Sequence, residues 1–239
     1  MRLAEETRIA AGLASAFGLA AACTAPLLLP ALPPEARKLP LPLPVFCVLL
    51  AVQLTVIYGL LALAGLRLAR GRGLVAAGWS ARGMWEGIAV GLICGTLLVL
   101  FVGLIQQLLP GTLPKSLHPQ GFLAALVASI AGSLGEEILF RLFLLSLLLR
   151  LLPAGRSWTV FAIAISSLAF GAAHAPGFVL LFGGLAQVPP LAWVWLIGLN
   201  GVCGATYGVI YLRYGVFAAI AAHLATDLVW HVASQLLRS

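Results

Sequence analysis

Away from loops and helix ends, the ionisable side chains of this sequence are Glu136, Glu137, Arg141, His174, His223, Asp227 and His231. Glu136 and Glu137 are adjacent in Ala-Gly-Ser-Leu-Gly-Glu-Glu-Ile-Leu-Phe-Arg, and the chain holds only 7 acidic residues in all. An ionised carboxylate in hydrocarbon costs several kcal/mol unless it is paired or faces water. Function is the default explanation for one placed there.

The spacings separate the two glutamates. Glu137 and Arg141 are four apart on one helical face, so they can pair and neutralise each other. Glu136 lies about 100° around the helix, one residue at ~3.6 per turn, and has no such local partner. It is the carboxylate left to do chemistry. His223 and Asp227 are again four apart, and His174 follows Phe170 by four. A carboxylate and two histidines on three helices, closed by an aspartate, suit either of two chemistries. Glu136, His174, His223 and Asp227 could hold a divalent metal such as zinc that activates water. Alternatively, Glu136 acts directly as general base on water while the histidines stabilise an oxyanion. Singly, each residue also has a structural use. Histidines bond helix to helix, a Glu-Arg pair staples, and an Asp-His pair can relay protons. Their conjunction points to catalysis.

These side chains need elements to carry them. The chain has 239 residues, 62% hydrophobic and 9% charged, with a mean hydropathy of +1.09. An ordinary soluble domain carries roughly 25% charged residues, so the composition implies an all-α, polytopic membrane bundle forming one domain over 1–239. Proline-free apolar stretches predict seven spanning helices, at 9–29, 45–66, 84–109, 121–149, 158–175, 191–212 and 215–237. The apolar segment 177–188 is too short to cross and is expected to be re-entrant or interfacial. Residues 67–82, basic and glycine-rich with Trp79, read as an amphipathic surface connector. Gly198, Gly201, Gly204 and Gly208 suggest a close-packing seam, with Asn200 bonding across it. Cys23, Cys47, Cys94 and Cys203 are far apart in apolar runs and read as packing residues, not a zinc knuckle or redox motif.

The net charge of +7 comes from arginines in short loops, the pattern of a topology signal and not of a nucleic-acid surface. Arg2, Arg8, Arg67, Arg70, Arg72, Arg82, Arg150, Arg156 and Arg213 fall on one side of seven spans. Arg37, Lys38, Lys115 and Arg238 fall on the other. The N-terminus is therefore expected in the cytoplasm. Ala20-Ala21-Ala22-Cys23 faintly resembles a lipoprotein cleavage site, but the apolar run continues to Leu29, so an uncleaved first helix is expected. The compact form and Ala/Leu/Gly/Arg-rich usage suggest a bacterial cytoplasmic membrane.

Glu136-Glu137-x-x-x-Arg141, Phe170-x-x-x-His174 and His223-x-x-x-Asp227 together resemble the three-motif signature of the CPBP group. This group comprises the CAAX-protease and bacteriocin-processing (Abi) intramembrane endopeptidases, which include Rce1. The resemblance covers 136–227 and implies hydrolysis of a peptide bond in a membrane protein or in a lipidated or leader peptide. It implies that Glu136 and His174 activate water, that His223 and Asp227 assist at the oxyanion, and that Glu137, Arg141 and Phe170 support the site. The family has been described both as metalloproteases and as metal-independent glutamate proteases. Two departures stand out. The last position of the third motif is often Asn, and an ionised Asp227 cannot donate to an oxyanion as an amide does. It could instead orient His223, bind a metal or stay protonated. Members also commonly carry one more helix after the third motif, a wall this chain is expected to lack or to supply otherwise. No His-Glu-x-x-His, rhomboid-type Gly-x-Ser-Gly or second aspartate is present for other intramembrane protease types. The rival readings are a non-catalytic immunity or scaffold protein of the same fold, and a small proton-coupled transporter. The transporter is disfavoured because the short segment 177–188 has no counterpart in the first half.

Overall fold

The structure, a computed structural model, describes residues 3–31, 37–112 and 121–233. Arg2, Lys115, Arg238 and the last residues of the seventh expected helix, 234–237, lie outside them. The helices are α1 (Leu3–Leu28), α2 (Leu43–Arg70), α3 (Ala81–Leu108), α4 (Phe122–Leu151), α5 (Arg156–Ala173), α6 (Ala175–Leu181), α7 (Pro190–Tyr214) and α8 (Val216–Val232). No strand occurs among the described residues. Six stretches are long and apolar enough to cross a membrane: α1 to α4, the α5–α6 run Arg156–Leu181, and α7. The seventh, α8, is apolar but shorter within the described residues. The expected polytopic all-α bundle is what the chain forms.

Local chemistry sets the helix ends. The Ser80 hydroxyl accepts from the Gly83 amide at 3.0 Å and caps α3. Prolines stand in the first turns of α2, α6 and α7, where the missing amide costs nothing. Gly215 at φ 89 divides α7 from α8. There the Val216 amide is taken by the Ala76 carbonyl at 2.7 Å.

Three expectations are revised in detail. In the expected surface connector 67–82, residues 67–70 complete α2 and 71–80 form turns and extended chain with Trp79 exposed. Their arginines tie the bundle's end: Arg70 pairs with buried Glu6 at 3.0 Å, and Arg72 donates to the Leu152 carbonyl. A surface-active reading of charge and Trp79 missed these internal acceptors. The segment 177–188 is not a separate re-entrant element. Its first part completes α6, which continues the fifth span beyond a turn at His174, and Leu185–Gln187 is a single 3-10 turn. Pro176 lacks the amide that would continue α5 unbroken.

The third concerns the packing seam. In α7, Gly201, Gly204 and Gly208 do face α5, with Cβ positions 3.9, 3.2 and 3.5 Å from Ser167, Ser167 and Ile163, whereas nothing lies within 4 Å of one on Gly198. Asn200 bonds the Leu196 carbonyl of its own helix, not a neighbour. A closer seam lies on α3, where Gly83, Gly87, Gly91 and Gly95 are all buried. A Cβ on Gly87 would stand 2.5 Å from the Ala218 carbonyl oxygen, and one on Gly95 2.8 Å from that of Thr226. Only hydrogen fits there, so α8 lies backbone to backbone on α3. Small residues serve this purpose in lipid, where no hydrophobic force drives helices together. The partner residues rise in step, Tyr214, Ala218, Ala222 and Thr226, so the two helices run parallel.

Candidate functional site

α4 carries the first motif at a change of helical form. Its opening part, Phe122–Glu136, is α-helical, and Glu137–Leu145 winds as a π-helix. Such widened stretches recur at functional sites. The Phe140 carbonyl in this stretch accepts from Ser166 of α5 at 2.8 Å, and Ser146 and Tyr211 share a hydrogen bond at 2.6 Å. Both bonds fix α4 against α5 and α7.

The expected ion pair forms. Glu137 and Arg141 are 0% and 1% exposed and meet at 2.9 Å. A buried guanidinium needs more than one partner. Arg141 also donates to the Gly204 carbonyl at 3.1 Å and lies 4.3 Å over the Phe170 ring and 5.2 Å from that of Tyr207. The pair does more than staple a helix, because the Glu137 oxygen that meets Arg141 also accepts from His223 Nδ1 at 2.9 Å. Helical spacing showed the local partner and could not show the one on α8.

That bond aims the ring. With Nδ1 held by Glu137, His223 turns Nε2 toward Glu136, 3.7 Å from its Oε2, and toward Asp227, 3.7 Å from Oδ1. His174 is aimed in the same way. Its Nδ1 is 2.9 Å from the Phe170 carbonyl, and its Nε2 stands 3.8 Å from the same Oε2 of Glu136. Donating Nδ1–H to a carbonyl fixes the tautomer and leaves Nε2 as the free acceptor. Phe170 supports both histidines edge-on, with ring centroids 5.0 Å from His174 and 5.6 Å from His223. The structure thus brings together Glu136, Glu137, Arg141, Phe170, His174, His223 and Asp227.

Sequence reasoning missed Tyr207, which stacks on His223 at 4.7 Å with 18° between the planes. Its only signal was an aromatic with a polar tip in a glycine-rich apolar helix. It also missed the cavity beside the centre, about 250 Å³, lined by Trp195, Leu196, Phe178 and Trp230 together with His174, His223 and Asp227. Asn200, Cys203 and His231, given no site role from sequence, line it as well. Among the described residues, no group of three His, Cys, Asp or Glu side chains is gathered as a metal-holding set. Glu136, His174, His223 and Asp227 would have to draw closer to ligate zinc.

An all-helical membrane bundle with a carboxylate and two aimed imidazoles at its centre defines the class: a polytopic membrane protein built around a polar site. Residues 118–229 match the family model of the Rce1-like type II CAAX prenyl endopeptidases. That match agrees with the resemblance of the three motifs to the CPBP group. The family is one of proteases, which supports a peptidase acting on peptide substrates in a membrane. No curated protein and no solved structure matches the chain.

Proposed function

We propose that this protein is an intramembrane endopeptidase in which Glu136 and His174 activate the attacking water. The observation that carries the reading is the convergence of both imidazole Nε2 atoms on Oε2 of Glu136, at 3.8 and 3.7 Å, with each Nδ1 already engaged. These distances are too long for direct hydrogen bonds and suit groups that share a water between them.

In the reaction, Glu136 takes a proton from water held against His174 Nε2, and the hydroxide adds to the peptide carbonyl carbon. Charge then develops on the carbonyl oxygen. His223 can offer Nε2–H to it only as the imidazolium, because Nδ1–H is already given to Glu137. Glu137 and Asp227 supply the counter-charge for that cation. Collapse of the tetrahedral intermediate breaks the C–N bond, and Glu136 returns its proton to the leaving amine. Collapse leaves a carboxylic acid and an amine, the acid's proton passes to the amine to give carboxylate and ammonium, and the site is restored. Asp227, 3.7 Å from His223 Nε2, holds that imidazolium in place for the oxyanion. Prenylated tails, leader peptides and C-terminal anchors of exported proteins are the substrate classes within this reading.

Comparative proteomics of membranes holding the wild type or Glu136→Ala tests it. The expected result is at least one membrane-associated polypeptide whose terminus is trimmed only by the wild type. Unaltered termini across the membrane proteome, or retained trimming by Glu136→Ala, would sink the mechanism. Metal analysis of the purified protein separates the two catalytic schemes: a stoichiometric ion lost in His174→Ala would replace the glutamate scheme with a metal-assisted one.

A further inference from the structure

The depth of the cavity decides from which side it can be reached. One end of the bundle gathers the α2–α3 loop, the α4–α5 turn and the α7–α8 junction. Arg72 bonds the Leu152 carbonyl, the Ala76 carbonyl takes the Val216 amide, and a Cβ on Gly71 would meet Arg150 at 3.3 Å. The Glu6–Arg70 pair brings the start of α1 to the same end. Arg8, Arg67, Arg70, Arg72, Arg82, Arg150, Arg156 and Arg213 therefore all lie toward it, whereas the opposite end, among the described residues, carries Arg37 and Lys38.

Glu136 stands midway along α4. From there the cavity extends away from the arginine-rich end. Val102 lies late in α3, Trp230 late in α8, Leu181 at the end of α6, and Trp195 early in α7, which starts from the far end. Toward the arginine-rich end that cavity has no lining residue; a separate pocket of about 460 Å³ there, lined by Glu6, Leu66, Arg70 and Val75, includes none of the site residues. Leu142, Leu145, Ile210, Tyr211 and Val216 are all buried and pack as one core below the site. The positive-inside rule puts the arginine-rich end in the cytoplasm.

We propose that the site receives its substrate from the extracytoplasmic half of the membrane. The substrate class is an exported or membrane-anchored polypeptide whose scissile bond lies in the outer half of the bilayer. It would be presented as an unwound apolar segment to the Trp195 and Trp230 side of the cavity. A tail offered from the cytoplasm meets the packed core instead. This inference rests on the proteolytic reading for the word substrate, but its geometry does not depend on catalysis.

Gly177 provides the test, because it lines the cavity and a Cβ there meets nothing within 4 Å. In the full chain with Cys23, Cys47, Cys94 and Cys203 changed to Ala, Gly177→Cys is exposed to a membrane-impermeant sulfonated maleimide. Val75→Cys, 71% exposed in the arginine-rich loop, marks the other side. In intact cells, Gly177→Cys is expected to label at least tenfold faster than Val75→Cys, with the order reversed in inside-out vesicles. If Gly177→Cys fails to insert, Leu185→Cys, 68% exposed at the same end, reports that end's side. Labelling of these positions from the cytoplasmic face, or of Gly177→Cys from neither face, overturns the proposal. Such a result leaves the proteolytic reading intact. Conversely, an inactive enzyme leaves the labelling pattern unchanged.

Discussion

The two faces of α8 are built on opposite principles. One face, Ala218, Ala222 and Thr226, lies on the glycines of α3 with no room for a methyl group. The other holds His223 Nε2 3.7 Å from Glu136 and 3.7 Å from Asp227 of its own helix. The first is dry and contiguous, and the second is polar and leaves room for a reacting molecule. The contrast teaches how a polar centre keeps its geometry in lipid. Burying apolar surface gives helices no mutual drive there, so precision has to come from backbone contact behind the polar face.

The largest effect should come from the open side. Glu136→Gln keeps shape and removes the base, and is expected to cut cleavage by ~10²–10⁴-fold, while thermal unfolding in detergent is unchanged. A matching loss of Tm would show that Glu136 belongs to the scaffold and erase the contrast. Glu137→Gln ranks next, because it leaves Arg141 buried without its counter-charge at a cost of roughly 3–5 kcal/mol. Adding Arg141→Met should restore most of that stability. If Glu137 also aims His223, activity stays low in the stable double variant, and full recovery of cleavage would reduce Glu137 to a staple.

On the packed side, Gly91→Leu forces α8 off α3 and should cost about 1–3 kcal/mol by overpacking. Cleavage is expected to fall with it, because His223 stands one residue beyond Ala222, whose carbonyl faces Gly91. Normal activity in that variant would mean the seam does not set the catalytic distance. The smallest change is Thr226→Val. It removes a bond of 3.1 Å to the Gly91 carbonyl, worth ~0.6 kcal/mol on the average for interhelical bonds in membranes. A small drop in Tm with unchanged cleavage is expected.

Much of this was legible in the chain because lipid makes polar residues conspicuous. Glu136, His174, His223 and Asp227 stood out as costs, and their four-residue spacings gave the helical faces directly. The Glu137–Arg141 pair followed from the same rule. What stayed hidden was set by neighbours distant in sequence. The bond from Glu137 to His223 spans 86 positions, and spacing within a helix carries no information on it. The α3 glycines were as regular as those of α7, yet only the partner helix reveals which set is pressed closer. Tyr207 was one aromatic among many until its ring lay on His223. The turn at His174 was readable as a proline effect, but the continuation of the fifth span beyond it was not.

The α3 seam has a consequence for what counts as the functional module. The match to the family spans 118–229, yet the surface that seats His223 and Asp227 belongs to Ala81–Leu108, outside it. A chain begun at residue 118 would hold every motif and lose the wall against which its last helix is ruled. The inherited unit of recognition and the smallest unit able to work are therefore different lengths of polypeptide. Grafting or trimming this domain should respect the second.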